Sequence, residues 1–465
     1  MSGFSSLTVA SRALAAQQRA IDVTGQNVAN ANTVGYTRQR VEMQSLASAS
    51  AYGLQSREDS PGNGVTADRV IRVRDAFLER RAQQQAGLSS QAATTAATYD
   101  QLETTFGEPG DTGIQSLLTK TSAAWSQLST RPTDTSSRIA VLASADALTK
   151  GLRTASAAID AQWTNTRLEA TDVVDEANAT LASIAQLNRT IQESQGNGNP
   201  ANELQDQRDG LVALLSKSLG ATAVESDNGM VDVVVDGNVL VSGAGASKLA
   251  LTGGTDPLTM GTSPVRLAVA PGGSVLQPGG SVGGQLDALN TVLPGYQTKL
   301  DAVASKLLAV NGVLATGYDQ NGQSGATSPL YSGSSARTIG VVLTDPAKLA
   351  AAANGPQGTD ASADGGVADA IADLGKQPGG PDATYRDMIT ALGIASRGAT
   401  GAAATASTVL GQVDQARLSV SGVSLDEEMT NLLVFKQSYA AAARVVTALD
   451  EMLDVLINKT GLVGR

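Results

Sequence analysis

Apolar residues recur with a helical period at both ends of the chain and through most of its middle. From Ser2 to Ala31, Leu7, Leu14, Ile21 and Val28 stand seven residues apart, with Ala10, Gln17, Thr24 and Ala31 at the companion positions. The spacing predicts one helix, roughly 45 Å long at 1.5 Å per residue. Its seam suits partner helices, although two companions are polar. The run Asn30-Ala31-Asn32-Thr33-Val34-Gly35-Tyr36 breaks the period and favours a turn. Partial alternation from Thr37 to Met43 predicts a short strand, and the Ser/Gly-rich residues 45–69 read as a loop or an extended excursion.

Further helices are predicted from about Asp75 to Phe106 and from Ile114 to Ser129. Residues 136–194 keep a helical period with no Pro and a single internal Gly, Gly151, on a stripe that includes Leu152, Ile159, Trp163, Leu181 and Ile184. So long a helix suits a rod better than a globule. A shorter helix, Glu203 to Leu219, precedes a change of period. Val231 to Val241 holds two β runs joined by Asp236-Gly237-Asn238, a hairpin signal. β character continues to about Gly284, and helix returns from Gln285 to about Thr316. Residues 317–380 mix short elements, with Ile339 to Leu343 the best strand candidate. Two helices, about 384–421 and 425–459, finish the chain. The last carries Leu425, Leu432, Tyr439, Val446 and Leu453 at seven-residue steps, flanked by Phe435, Leu449 and Leu456. The fold class is therefore mainly α with a β-rich insertion: a nested multi-domain rod whose N- and C-terminal helices pair as a coiled coil.

Composition narrows the chemistry. The 465 residues carry a net charge of −11, and no dense Lys/Arg block offers a nucleic-acid surface. Aromatic residues make up 3%, and the small residues in their place suit closely packed helices. With no Cys and no His, disulfides, thiol catalysis, His-based triads and ordinary zinc or haem sites are excluded. No segment approaches the roughly 20 apolar residues of a membrane span, and the N-terminus lacks the pattern of a cleaved signal peptide. A cytosolic chain is expected unless it leaves by a route that reads no such signal.

The remaining motifs are weak. Gly243-Ala244-Gly245 lacks the third Gly and the helix of a dinucleotide fingerprint and reads as a turn. Asp319-Gln320-Asn321-Gly322 resembles the start of a calcium loop, yet no Glu stands at its twelfth position, so it reads as a solvated turn. Asp426-Glu427-Glu428 follows Ser424 and reads as a helix start with a capping box. No catalytic residue, cofactor or metal site is expected. The terminal stripes fit intermolecular packing and ordinary intramolecular core equally well from period alone.

Two terminal blocks tip that balance. Gly3-Phe4-Ser5-Ser6-Leu7, Ala13-Leu14-Ala15-Ala16-Gln17-Gln18 and Val28 through Gln39 resemble the N-terminal signature of the flagellar rod, hook and hook-associated axial proteins. The Tyr36-Thr37-Arg38-Gln39 variant looks most like the hook–filament junction members. Ser421 to Glu428, Gln437 to Ala441, Ala443-Arg444-Val445 and Asp450 to Leu453 are similar to that family's C-terminal end. Internally, Ala201 to Asp209, Gly283 to Leu286, Val310-Asn311 and Gly317-Tyr318-Asp319 also fit. The chain departs from the pattern in lacking a His after Val310-Asn311, at Lys436, and in being short, which puts a large outer domain in doubt.

The resemblance implies a structural component of the bacterial flagellum that joins hook and filament. Such a protein is exported unfolded through the flagellar type III route and lies outside the cell without a cleaved signal peptide. The implied partners are further copies in a ring or short helical layer, the hook protein, the second junction protein, and an export chaperone at the C-terminal helix. Neither nucleic acid nor membrane insertion is implied. Residues 1–33 and 424–465 would form the terminal assembly domain, 34–221 and 285–423 the mainly α inner domain, and 222–284 the β-rich outer module. The self-assembly interface would comprise Leu7, Leu14, Ile21, Val28, Leu425, Leu432, Phe435, Tyr439, Val446, Leu449, Leu453 and Leu456. Alternatives remain: another axial protein such as flagellin or the second junction protein, a secreted cell-wall glycan hydrolase using Glu/Asp pairs, or a non-flagellar coiled-coil scaffold.

Overall fold

The computed structural model describes residues 3–46, 62–226, 229–355, 364–455 and 457. The chain begins with helix α1 (Gly3–Ala29), then strands β1 (Gln39–Ser45) and β2 (Val65–Arg72). These two strands pair antiparallel, Gln39 opposite Arg72. The last five residues of the expected loop, 65–69, therefore lie in a strand, and residues 47–61 of it lie outside the described residues. Three helices follow: α2 (Ala76–Phe106), α3 (Ile114–Thr130) and α4 (Thr135–Gly196). Asp75 and Asp134 cap α2 and α4, each accepting from backbone N–H groups of the first turn. At 62 residues, α4 is roughly 90 Å long.

Helix α5 (Asn202–Leu219) leads into strands β3 (Thr222–Glu225), β4 (Val231–Val235), β5 (Asn238–Ser242) and β6 (Gly245–Ala246), which form one antiparallel sheet in that order. The β4–β5 turn is built by Asp236 and Gly237 at φ 50 and 72, the left-handed geometry that suits the right-handed twist of a hairpin. Strands β7 (Lys248–Thr252), β8 (Arg266–Ala270) and β9 (Val275–Leu276) form a second sheet. Helix resumes earlier than the pattern predicts, with α6 (Gly280–Asp287) continuing through a π-helical turn, Ala288–Val292, into α7 (Leu293–Leu308). At its start the backbone makes a close approach: a Cβ on Gly220, at the end of α5, would lie 2.9 Å from Gly279 Cα. Two glycines let the end of α5 touch the start of α6.

Helix α8 (Val310–Leu314) and short strands β10 (Tyr331–Ser332) and β11 (Gly340–Val341) precede α9 (Gly366–Lys376), α10 (Pro381–Ser421) and α11 (Leu425–Asp454). Of the expected strand 339–343, Gly340 and Val341 pair. Two apolar cores result. One gathers α2, α3, the first half of α4 and α7 to α10 around Trp125, Trp163, Leu300 and Tyr385. The other packs the second half of α4 and α5 against the two sheets around Leu181, Leu215, Val233 and Leu267. Both cores draw on α4. Helix α10 runs antiparallel along α2, with Gln85 bonded to the Ala406 carbonyl and Arg417 paired with Glu79. Burial raises the Glu79 pKa, and Arg417 opposes that shift. The fold is a mainly helical multi-domain rod with a β insertion.

Candidate assembly site

Helices α1 and α11 pack against each other, and α1 also lies on the β1–β2 hairpin. The end of α1 meets the start of α11, so the pair is antiparallel. The face that α1 buries is lined by Ala10, Ala16, Ala20, Val23, Thr24 and Asn27. Small side chains permit close approach here, and two of the heptad companions, Ala10 and Thr24, are among the most buried residues. Leu7, Leu14, Ile21 and Val28 are half-buried along the margin of this seam.

On α11, Leu432, Phe435, Val446, Leu449 and Leu453 are half-buried, whereas Leu425 is 50% and Tyr439 38% exposed. Leu456 lies outside the described residues. Along this row exposed and half-buried positions alternate from Leu425 to Val446 rather than marking one packed face. A second set of large apolar residues on α11, including Met429, Leu433, Val434, Val445 and Met452, is half or more exposed. At 100° per residue these project away from the face that meets α1.

The helix pair is tied to the rod by polar groups. The Asn27 side chain donates to the Gln39 carbonyl at 2.9 Å and to Glu428 Oε2 at 3.0 Å. Its oxygen accepts from the Tyr36 hydroxyl at 2.9 Å and the Gln39 N–H at 3.0 Å. Arg38 Nε reaches Glu428 Oε1 at 2.7 Å and Arg38 Nη1 reaches Glu427 Oε2 at 2.8 Å, while the Arg38 N–H donates to the Ser421 carbonyl. Glu428 is buried with Arg38 as a charged partner. The expected capping box does not form, because Ser424 makes no side-chain cap bond. The two glutamates instead hold the arginine of the Tyr-Thr-Arg-Gln stretch.

Beyond this lock, Arg72 bonds Asp206 at 2.8 Å and Asp209 at 2.7 Å. Arg74 bridges Asp209 and Glu225. Asn202 reaches Gln39 and the Val70 carbonyl, and Thr37 N–H donates to Asp206. Burial tends to lower the Arg72 pKa, but Asp209 and Asp206 outweigh it and the net shift is upward. Tyr36 is pushed up to about 12, first by burial, then by the negative charges of Asp206, Glu203 and Glu428. The hairpin is thus an ionic hinge-plate between the terminal helices and α5.

Asn27, Arg72 and Arg74 carried no signal that the sequence patterns could isolate. Asn27 is polar and lies off the seven-residue row and its companions, Arg72 ends a strand whose alternation is broken, and Arg74 follows that strand. The remaining motifs are structural. Gly243 and Ala244 form the β5–β6 turn. Asp319 closes its own turn by accepting from Asn321 and Gln323 N–H groups, and is buried rather than solvated. Among the described residues no group of three or more carboxylates could hold a metal ion, and no helix is long and apolar enough to cross a membrane.

Known proteins align with this architecture. Residues 99–328 match the helical domain of the flagellar hook-associated protein FlgK, 7–37 the flagella basal body rod protein, and 414–459 the C-terminal region of the flagellar basal body rod FlgEFG proteins. The flagellar hook-associated protein 1 of Bacillus subtilis is 30% identical over 100% of both chains. That of Escherichia coli is 25% identical over 96% of this chain and 98% of its own. The structure of the flagellar hook junction protein FlgK from Burkholderia pseudomallei superposes with a TM-score of 0.61 at 15% identity, covering 75% of this chain and 100% of that one, and supports the fold. The rod-family matches fall on the two helices that the polar lock joins, and the full-length relatives span everything between them: the chain belongs to the flagellar hook-associated protein 1 family and is a structural protein of the bacterial flagellum.

Proposed function

We propose that the chain assembles at the tip of the hook and joins hook to filament, with α1 and α11 forming the inner wall of the assembly. The observation that supports this reading is the second apolar face of α11. Met429, Leu433, Val434, Val445 and Met452 lie half or more exposed on a helix whose opposite face is already packed. Scattered apolar residues on a surface are ordinary, but a set this dense on one helix marks an interaction surface. Neighbouring subunits that present the same helices would bury it.

In this reading residues 1–33 and 424–465 are the assembly domain, 34–221 and 285–423 the inner domain, and 222–284 the outer module. The chain contacts the hook protein on one side and the second junction protein on the other, after export through the flagellar type III route with a chaperone on the C-terminal helix. Without neighbours the helix pair is marginal, because isolated helices pay a nucleation cost with one face unsatisfied. Electron microscopy of a deletion strain tests the role. Complete hooks lacking filaments, with flagellin in the medium, are expected; normal filaments would refute it.

A further inference from the structure

A cavity of about 710 Å³ opens where the hairpin, the end of α4 and the β3–β4 connection meet. Five arginines line it: Arg19, Arg69, Arg72, Arg74 and Arg208. Arg72 and Arg74 are held by Asp206, Asp209 and Glu225, but Arg19 and Arg69 have no ion pair among the described residues. Arg208 is 2% exposed, and its Nε has no hydrogen-bond partner, with Asp209 no closer than 3.8 Å. Its Nη1 is held by Asn188 Oδ1 at 3.1 Å and by the Gly229 carbonyl at 2.8 Å, so Nε is the nitrogen of this buried guanidinium left without a partner. Asp68 and Glu225 also line the cleft, so the cations open to incoming carboxylates are Arg19 and Arg69.

The chain also carries a complementary surface. Glu169, Asp172, Asp175 and Glu176 are all exposed on α4, and none forms an ion pair among the described residues. They lie within about two helical turns of one another. Gln195, where α4 enters the cleft, is some 20 residues further along the same helix, so the two surfaces are roughly 30 Å apart. At 100° per residue the acidic stripe also points about 130° away from Gln195 around the axis. One rigid helix cannot bring its own stripe to its own cleft. Two copies can do so head to tail, and such heterologous contacts propagate into rings or helices.

We propose that the arginine cleft receives the acidic α4 stripe of a neighbouring copy, fixing an axial stagger of roughly 30 Å between subunits. The proposal rests on the assembly reading above and names its lateral contact. Carboxylates entering the cleft would meet Arg19 and Arg69 as forked donors, geometry that guanidinium groups recognise well.

The native chain has no cysteine, so introduced thiols report unambiguously. Chains carrying Arg69→Cys with Asp172→Cys, both exposed positions, would be expressed beside the wild type, and isolated flagella treated with a short bismaleimide. Dimers and higher ladders are expected from the double variant and not from either single variant. No ladder in flagella that contain the variant, or an equal ladder from Arg69→Cys with Glu451→Cys, would overturn the proposal. As a second arm, Arg19→Glu with Arg69→Glu should abolish filaments while leaving the monomer's melting unchanged. Adding Glu169→Lys, Asp172→Lys and Glu176→Lys to the same chain should restore them. Failure of that rescue counts against the contact. A deletion strain that still makes filaments would instead refute the junction role itself, so the two failures are distinguishable.

Discussion

The terminal helix pair and the inner helical domain use the same secondary structure to opposite ends. In the inner domain, Trp163, Leu148, Leu152 and Ile159 of α4 are at most 1% exposed, and the apolar stripe is spent within the chain. In α11, Glu428 is the one residue counted as buried among those described, and large apolar groups face outward on the side away from α1. The first region carries its own stability. The second leaves large apolar side chains open to solvent in the single chain. A hydrophobic period therefore tells where a helix forms but not whether its partner belongs to the same chain.

Variants can test this contrast in descending order of effect on the monomer. Trp163→Ala empties a fully buried site and removes the indole bond to the Leu289 carbonyl. It should cost about 4 kcal/mol, read as a large fall in melting temperature. Glu428→Ala leaves Arg38 and Asn27 facing a vacated site, and breaking such a buried pair should cost about 3 kcal/mol. The loss should fall on the docking of α1 and α11, seen as faster amide exchange in both helices with the core unchanged. If the core melts earlier by the same amount, the two regions are not separable.

Leu432→Asp with Leu453→Asp attacks half-buried positions and should loosen the pair by about 1–2 kcal/mol per site. Limited proteolysis should then trim the ends first. Met429→Ser with Met452→Ser should change monomer stability by no more than about 0.5 kcal/mol and yet abolish filaments. Motility in that strain would show that the outward face is not an interface. The smallest effect is confined to alkali. Because the folded Tyr36 pKa is raised to about 12 above an unfolded value near 10, the folded state holds the proton more tightly. Its contribution is fully present below pH 10 and declines between pH 10 and 12. Tyr36→Phe should flatten that part of a stability–pH curve.

The sequence made the helices legible because their stripes are long. The limits of α4 were read to within two residues, and the β4–β5 hairpin followed from one Asp-Gly turn. Strand β2 was hidden because Asp68-Arg69 interrupts its alternation, and because its partner, β1, precedes it across a long connection. The packed faces of the terminal pair were half legible. The seven-residue rows marked two helices that pack together, but on α1 the buried face runs through alanines that no hydrophobicity pattern distinguishes. Least visible was the lock itself. Arg38 and Glu428 are 390 residues apart, and first-turn acids are so common at helix starts that the ordinary explanation concealed the pairing.

Helix α4 has a mechanical consequence. It runs unbroken through both apolar cores, so the inner domain and the β module are mounted on one beam. Shear or twist between them cannot be absorbed by a flexible linker and must bend the helix or break its backbone hydrogen bonds in series. Under torsional load the two modules therefore turn as a single stiff body. The compliance of the molecule lies outside this beam, where the terminal helices are coupled to the rest of the chain by the short α10–α11 connection, the Arg38–Glu428 ion pair and the Arg38 N–H bond to the Ser421 carbonyl.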